Sequence, residues 1–196
     1  MRYAKGHKEA TRDRIVDAAA MRFRRDGIGA VGVASLMGEI GLTQGGFYNH
    51  FESKDDLARE VIVESLAGTR QLLEDAIASG RSDGLSAAIN YYLRAEHRDQ
   101  PGYGCAAAAL AVDIARGSPA MKSAFTGELR KTIALLAELL PSSIKPKRRR
   151  ETAAAIFASM LGTLVIARAV DDEALSDELL AAGRRAALSI AQQQVA

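Results

Sequence analysis

Gly41-Leu42-Thr43-Gln44-Gly45-Gly46-Phe47-Tyr48-Asn49-His50-Phe51-Glu52-Ser53-Lys54-Asp55-Asp56-Leu57 is the stretch that decides the fold. Gly41-Leu42 reads as a tight turn, and Thr43 as the N-cap of a short helix reaching about His50. Ser53 then caps a longer helix from Lys54 to about Ser79, with Asp55 and Asp56 suited to its first turn. Upstream lies another short helix, Val33 to Ile40, whose inner face is Leu36 and Ile40. Before it, Ile15, Ala19 and Phe23 recur at helical spacing beside Val16 and Ala20, an amphipathic helix from about Glu9 to Asp26 stopped by Gly27. Two short helices joined by a Gly-containing turn and buttressed by a longer one form a helix-turn-helix candidate. Ile15, Ala19, Phe23, Leu36, Ile40, Leu42, Phe47 and Phe51 supply its core.

Beyond this module the pattern stays helical, at about 85–98, 105–116, 119–140, 150–170 and 174–193. The breaks are marked by Pro101-Gly102, by Gly117-Ser118-Pro119 with Pro at the first helical position, and by Pro141-Ser142-Ser143. No alternating strand pattern and no repeat interrupts them. The expected fold class is all-α, with about nine helices. Residues 1–55 form the helix-turn-helix domain and residues 56–196 a helical effector-binding and dimerisation domain. A chain of 196 residues with 48% hydrophobic residues supports a packed core, and 5% aromatics suit helix packing better than strands. The expectation is a cytoplasmic protein without a membrane partner: the first residues are polar, and no run approaches the roughly 18 unbroken apolar residues of a span. The single cysteine excludes an internal disulfide. Residues 1–25 hold eight basic residues against three acidic ones, whereas residues 60–196 balance at sixteen each. A short basic front on a neutral body points to nucleic acid at that end; an ordinary solvated helix explains the same charges.

The 41–57 string, with Arg14-Ile15-Val16-Asp17-Ala18-Ala19, Phe23 and Gly27 upstream, resembles the signature of the TetR family of bacterial transcriptional repressors. The close match covers about residues 10–60; the remainder agrees in length and helix count. The resemblance implies that Thr43, Gln44, Gly45 and Gly46 open the recognition helix and meet base edges or phosphates. It implies that Tyr48 touches the DNA backbone or a base, that His50 lies on the same exposed side, and that Lys54 binds a phosphate. The residue chemistry agrees: Gln pairs bidentately with adenine, while Tyr and Lys hold phosphates without sequence preference. Two adjacent glycines in a short helix cost about 1 kcal/mol each against alanine, a cost that close backbone approach to DNA would explain. The chain departs from the family where Gly32 replaces a Ser or Thr cap and where Met37-Gly38 replaces a small-then-polar pair.

In the second domain the family resemblance implies an apolar effector cavity and a two-fold interface. Tyr91, Tyr92, Met121, Phe125, Phe157 and Met160 are candidate walls, with Asp113, Arg116 or Arg168 to orient a ligand; a filled core explains the same residues. Cys105 follows Gly104 at a helix start, where the dipole favours a thiolate, yet lone cysteines commonly pack as small core residues. Small-residue stripes Ala155, Ala158, Ser159, Gly162 and Leu179, Gly183, Ala186, Ile190 suit a four-helix homodimer interface. The reading is a ligand-responsive repressor that binds a palindromic double-stranded DNA operator as a dimer and is released by a small-molecule effector. A thiol-based sensor and a helical enzyme with a borrowed DNA-binding unit are the alternatives. Tyr91, Tyr92, His97, Tyr103 and Asp113 are the residues an enzyme would use, but no cofactor motif, activated nucleophile or metal-ligand spacing accompanies them. His7, His50 and His97 are scattered, and Gly27-Ile28-Gly29-Ala30-Val31-Gly32 spells a dinucleotide motif after a helix instead of a strand, so it reads as a loop. The basic run Lys145, Lys147 to Arg150 reads as a solvated loop or a helix entry.

Overall fold

Ile15, Val16, Ala19 and Phe23 are all buried on one face of the first helix, α1 (Lys5–Asp26), in a computed structural model that describes residues 5–79 and 83–193. Gly27 ends that helix at φ +85°, its amide donating to the Phe23 carbonyl at 2.8 Å, a left-handed cap that a side chain would strain. Helix α2 (Val33–Glu39) starts at Gly32, which offers no side-chain cap. It closes through Gly41 at φ +73°, with the Leu42 amide bonded to the Met37 carbonyl and the Gly41 amide to the Gly38 carbonyl. Helix α3 (Gln44–Phe47) is capped as expected: Thr43 Oγ1 accepts from the Gly46 amide at 3.2 Å. Ser53 Oγ caps α4 (Lys54–Ala78) by accepting from the Asp56 amide at 3.1 Å.

The long α4 runs from the helix-turn-helix into the larger body, where it packs on α5 (Gly84–Tyr92) and α8 (Pro119–Glu138). Between these come α6 (Ala95–Asp99), a 3₁₀ turn at Pro101–Tyr103 and α7 (Ala106–Arg116). Helices α9 (Pro146–Ala169) and α10 (Glu173–Gln192) lie against each other and close the body. The described residues form ten α-helices in the expected all-α arrangement, the expected 85–98 helix being divided into α5 and α6. Its Tyr92 carbonyl accepts instead from the imidazole Nδ1 of His97 at 2.6 Å, and Arg94 turns extended (φ −80°, ψ 156°). A side chain has taken the carbonyl that the helix ladder would have used. The basic run also belongs to a helix: Pro146 opens α9, so Arg148 to Arg150 fill its first turns.

Candidate nucleic-acid interface and the polar cluster behind it

Phe47 anchors α3. It is fully buried, stacked on Phe51 at 5.4 Å, and beneath it Leu36 and Met37 of α2 are buried too. With Phe47 pinned inward, Gln44, Gly45 and Tyr48 face solvent; Tyr48 is 60% exposed, its ring edge-on to Phe47 at 5.3 Å. Thr43 is exposed beside them and Gly46 half-buried. A Cβ at Gly45 would meet nothing within 4 Å, and one at Gly46 only ordinary contacts with Thr43 and Met37, so packing among the described residues demands neither glycine. Lys54 rests its ammonium on the Gly29 carbonyl at 3.4 Å. His50 departs from the expected exposed side. It is half-buried in a groove of about 610 Å³ between α3 and the start of α1, beside His7, Lys8, Thr11, Leu42 and Asn49. Its Nδ1 is buried without a hydrogen-bond partner among the described residues, and burial, then Lys8 and Arg12, lowers its pKa.

Most of the positive charge at this end ties the fold together. Arg12 pairs with Glu60 and lies 4.4 Å over the Phe51 ring; Arg14 bonds the Ile40 carbonyl at 2.8 Å; Arg22 pairs with Asp26 and Glu39; Arg25 pairs with Asp26. Arg24 donates to the Gly102 carbonyl at 2.6 Å and to Ser65 at 2.7 Å, bridging α1, α4 and the 3₁₀ turn. In a sequence Arg24 looks no different from Arg22 or Arg25. Its role needs the fold to bring residue 102 back over α1.

Where the apolar effector cavity was expected, the residues enclose a space of about 30 Å³, lined by Tyr91, Tyr92, Cys105, Thr69, Leu72, Leu73, Arg94, His97, Tyr103 and Gly104. Of the eight proposed ligand residues, Tyr91, Tyr92 and Cys105 meet there. Met121, Phe157 and Met160 are buried in the core and Phe125 packs against it, because the small residues Ala106, Ala107 and Ala153 let the helices close over them. Asp113 faces the other way: its carboxylate accepts from the Ile28 amide at 3.1 Å, holding the α1–α2 turn. Arg168 is also occupied, donating to the backbone carbonyls of His97 and Arg98.

His97 is the hub of this cluster. Its Nδ1 donates to the Tyr92 carbonyl and its Nε2 accepts from the Cys105 amide at 2.9 Å, which requires the neutral ring. Burial, followed by the charges of Arg168 and Arg94, pushes its pKa down to about 4. An unfolded histidine titrates near 6.5, so between these values the unfolded chain binds the extra proton. Stability is then fully present above about pH 6.5 and falls as pH drops toward 4, by as much as about 3 kcal/mol. Urea midpoints measured from pH 7.5 to 4.5 should show this slope, and His97→Gln should flatten it; an unchanged slope would place the acid sensitivity elsewhere.

On α9, Ala155 and Ala158 are exposed, Ser159 and Gly162 half-buried, and Val165 and Ile166 stand 39% and 53% exposed. On α10 the expected stripe divides. Ala186 is exposed and Leu179 and Ile190 are half-buried, but Gly183 is buried inside its own chain. A Cβ there would sit 2.8 Å from the Thr163 Cβ and closer still to its Cγ2 and Oγ1. Gly183 therefore lets α10 close onto α9.

Residues 15–61 match the family model of bacterial regulatory proteins of the tetR family. No curated protein sequence matches the chain significantly. Among solved structures, the reduced form of Escherichia coli NemR superposes with a TM-score of 0.74 at 22% identity, covering 90% of this chain and 96% of that one. A TetR-family transcriptional regulator from Streptomyces coelicolor gives 0.74 at 22% identity, over 93% and 96%. A TetR transcriptional regulator from Legionella pneumophila gives 0.76 at 20%, over 96% and 98%. Residues 15–61 thus match the DNA-binding module of bacterial regulatory proteins of the tetR family, and the chain shares its fold with these TetR-family regulators along nearly their whole length.

Proposed function

We propose that the chain is an effector-responsive repressor that binds a pseudo-palindromic operator as a homodimer. The observation that carries the DNA reading is the outward face of α3: Gln44, Gly45 and Tyr48 stand free while Phe47 locks their helix to the core. Thr43 to Gly46 present a helix N-terminus to the major groove, and the two glycines let backbone approach the duplex closely. Tyr48 and Lys54 hold phosphates, Lys54 leaving the Gly29 carbonyl to do so. His50 supports α3 from the groove behind it. Residues 1–55 carry the DNA face and residues 56–196 the sensing and pairing functions, with α4 crossing the division.

Pairing is supported by α9. Length and apolar composition alone would let this helix cross a bilayer, yet one face is packed in the fold and only 39% of its most apolar window is buried within the chain. A second copy covering Ala155, Ser159, Gly162 and Ile166, with Leu179, Ala186 and Ile190 alongside, removes that surface from water. Dimerisation also sets two α3 helices at the spacing of successive major grooves, which one helix alone cannot read selectively. An effector then acts by favouring a dimer geometry in which that spacing no longer fits.

Titration of labelled DNA from upstream of the chain's own coding region and its neighbours tests this. Salt-dependent, sequence-specific binding is expected. Gln44→Ala should relax base preference at one position of each half-site. Lys54→Ala should weaken all sequences alike and lower the salt slope by about one. Absence of any protected site in these regions would overturn the reading, and a transcription assay with the bound promoter separates repression from activation.

A further inference from the structure

Cys105 is the only cysteine, 1% exposed, and caps the N-terminus of α7 with its backbone held by His97. Both imidazole nitrogens are committed to backbone groups, so His97 positions the cysteine and does not serve as its base. Lining the same small cavity as Cys105 is Tyr92, wholly buried, whose hydroxyl finds no hydrogen-bond partner among the described residues. Arg24 and Arg168, both half-buried, set positive charge on this side of the fold, Arg168 lying against Gly104 next to the cysteine. An orphaned hydroxyl costs about 1–3 kcal/mol, so the site is built for a molecule that accepts its proton. The cavity of about 30 Å³ holds one or two waters by the usual measure. It therefore admits a molecule of two heavy atoms and shuts out bulky electrophiles. Two of its lining residues, Leu72 (45% exposed) and Tyr103 (73% exposed), reach the surface.

We infer that Cys105 is an oxidation site for hydrogen peroxide, sensed within the buried pocket it shares with Tyr92 and His97; its effect on DNA rests on the proposed operator binding. The sulfur attacks one peroxide oxygen, forming S–O as O–O breaks. The thiol loses two electrons to become a sulfenic acid, and the second oxygen leaves as water carrying the thiol proton. The Tyr92 hydroxyl hydrogen-bonds that leaving oxygen. With no second cysteine in the chain, the product waits for an external thiol to reduce it.

The added oxygen is transmitted by rigid neighbours. Ala106 and Ala107 are fully buried, so the pocket enlarges by moving α7 or the 3₁₀ turn. Both hold the end of α1. Asp113, eight residues or about 12 Å along α7, fixes the Ile28 amide, and the turn receives Arg24 on the Gly102 carbonyl. A Cβ at Gly102 would already press on Met21 at 3.3 Å, which shows how closely the turn sits on α1.

The test treats the folded full-length protein with hydrogen peroxide in the presence of dimedone, maps the adduct by mass spectrometry, and titrates operator DNA in parallel. Dimedone should label Cys105, and peroxide should weaken operator binding roughly tenfold or more. Cys105→Ser, which keeps all five methionines, should hold its affinity under peroxide. Tyr92→Phe should slow labelling roughly tenfold while untreated DNA binding stays as in the parent and the thermal midpoint holds or rises as the orphaned hydroxyl is removed. N-ethylmaleimide should react slowly with native protein and fast with unfolded protein. No adduct in the folded state, an adduct with unaltered affinity, or parental kinetics in Tyr92→Phe would overturn the proposal. Protein that labels at Cys105 but binds no operator untreated would instead overturn the DNA-binding reading and leave the oxidation site standing.

Discussion

Phe47→Ala should abolish operator binding and cost about 3–5 kcal/mol of folding free energy, the range for removing a large aromatic from a packed core. Phe47 is the wedge through which a helix of four residues is held: it is fully buried, stacked on Phe51, and backed by Leu36 and Met37. Without it α3 has only the Thr43 cap and a few backbone bonds, far too little for an isolated helix of that length. Against a typical total stability of about 5–15 kcal/mol, the loss lowers the urea midpoint severely. Tyr48→Ala is the matching control. Its side chain is 60% exposed, so the midpoint should move by no more than about 1 kcal/mol, the worth of its edge contact with Phe47. Operator affinity should nonetheless fall. Equal loss of affinity and stability in both variants would show that Tyr48 acts through the fold and not on DNA.

Two glycines that look alike in the sequence should behave oppositely. A Cβ at Gly162 on α9 meets nothing within 4 Å, so Gly162→Glu fits the monomer and even gains about 1 kcal/mol of helix propensity. It places a charge in the proposed two-fold interface. Light scattering should report a monomer, with operator affinity reduced on the order of a hundredfold as the avidity of paired half-sites is lost. Gly183→Val drives a side chain into Thr163 inside one chain. It should lower monomer stability by roughly 3 kcal/mol through overpacking of α9 against α10. A Gly162→Glu variant that remains dimeric would move the interface off α9.

The parts legible in the sequence are those settled by neighbours three to five residues away. Thr43, Ser53 and Ser118 each accept an amide three residues on, and Gly27 and Gly41 close their helices against carbonyls four and three residues back. Such bonds depend on residue type and spacing, so helix order and the exposed face of α3 follow from the string around residues 41–57. The break at Leu93 was hidden, because it depends on one imidazole competing for the Tyr92 carbonyl. The fate of Asp113, Arg24 and Gly183 was hidden for a stronger reason. Asp113 meets an amide 85 positions away and Arg24 a carbonyl 78 positions away, and periodicity carries no information at that range. Gly183 and Gly162 share one local signature, small residues on an apolar helix. Packing of α10 on α9 buries the first and leaves the second open. Likewise the tyrosines, histidine and cysteine scattered from 91 to 105 become one cavity only when the Tyr92 carbonyl and the Cys105 amide close on the two nitrogens of His97. Short-range hydrogen bonding is written in sequence order; the meeting of distant side chains exists only after the core has packed.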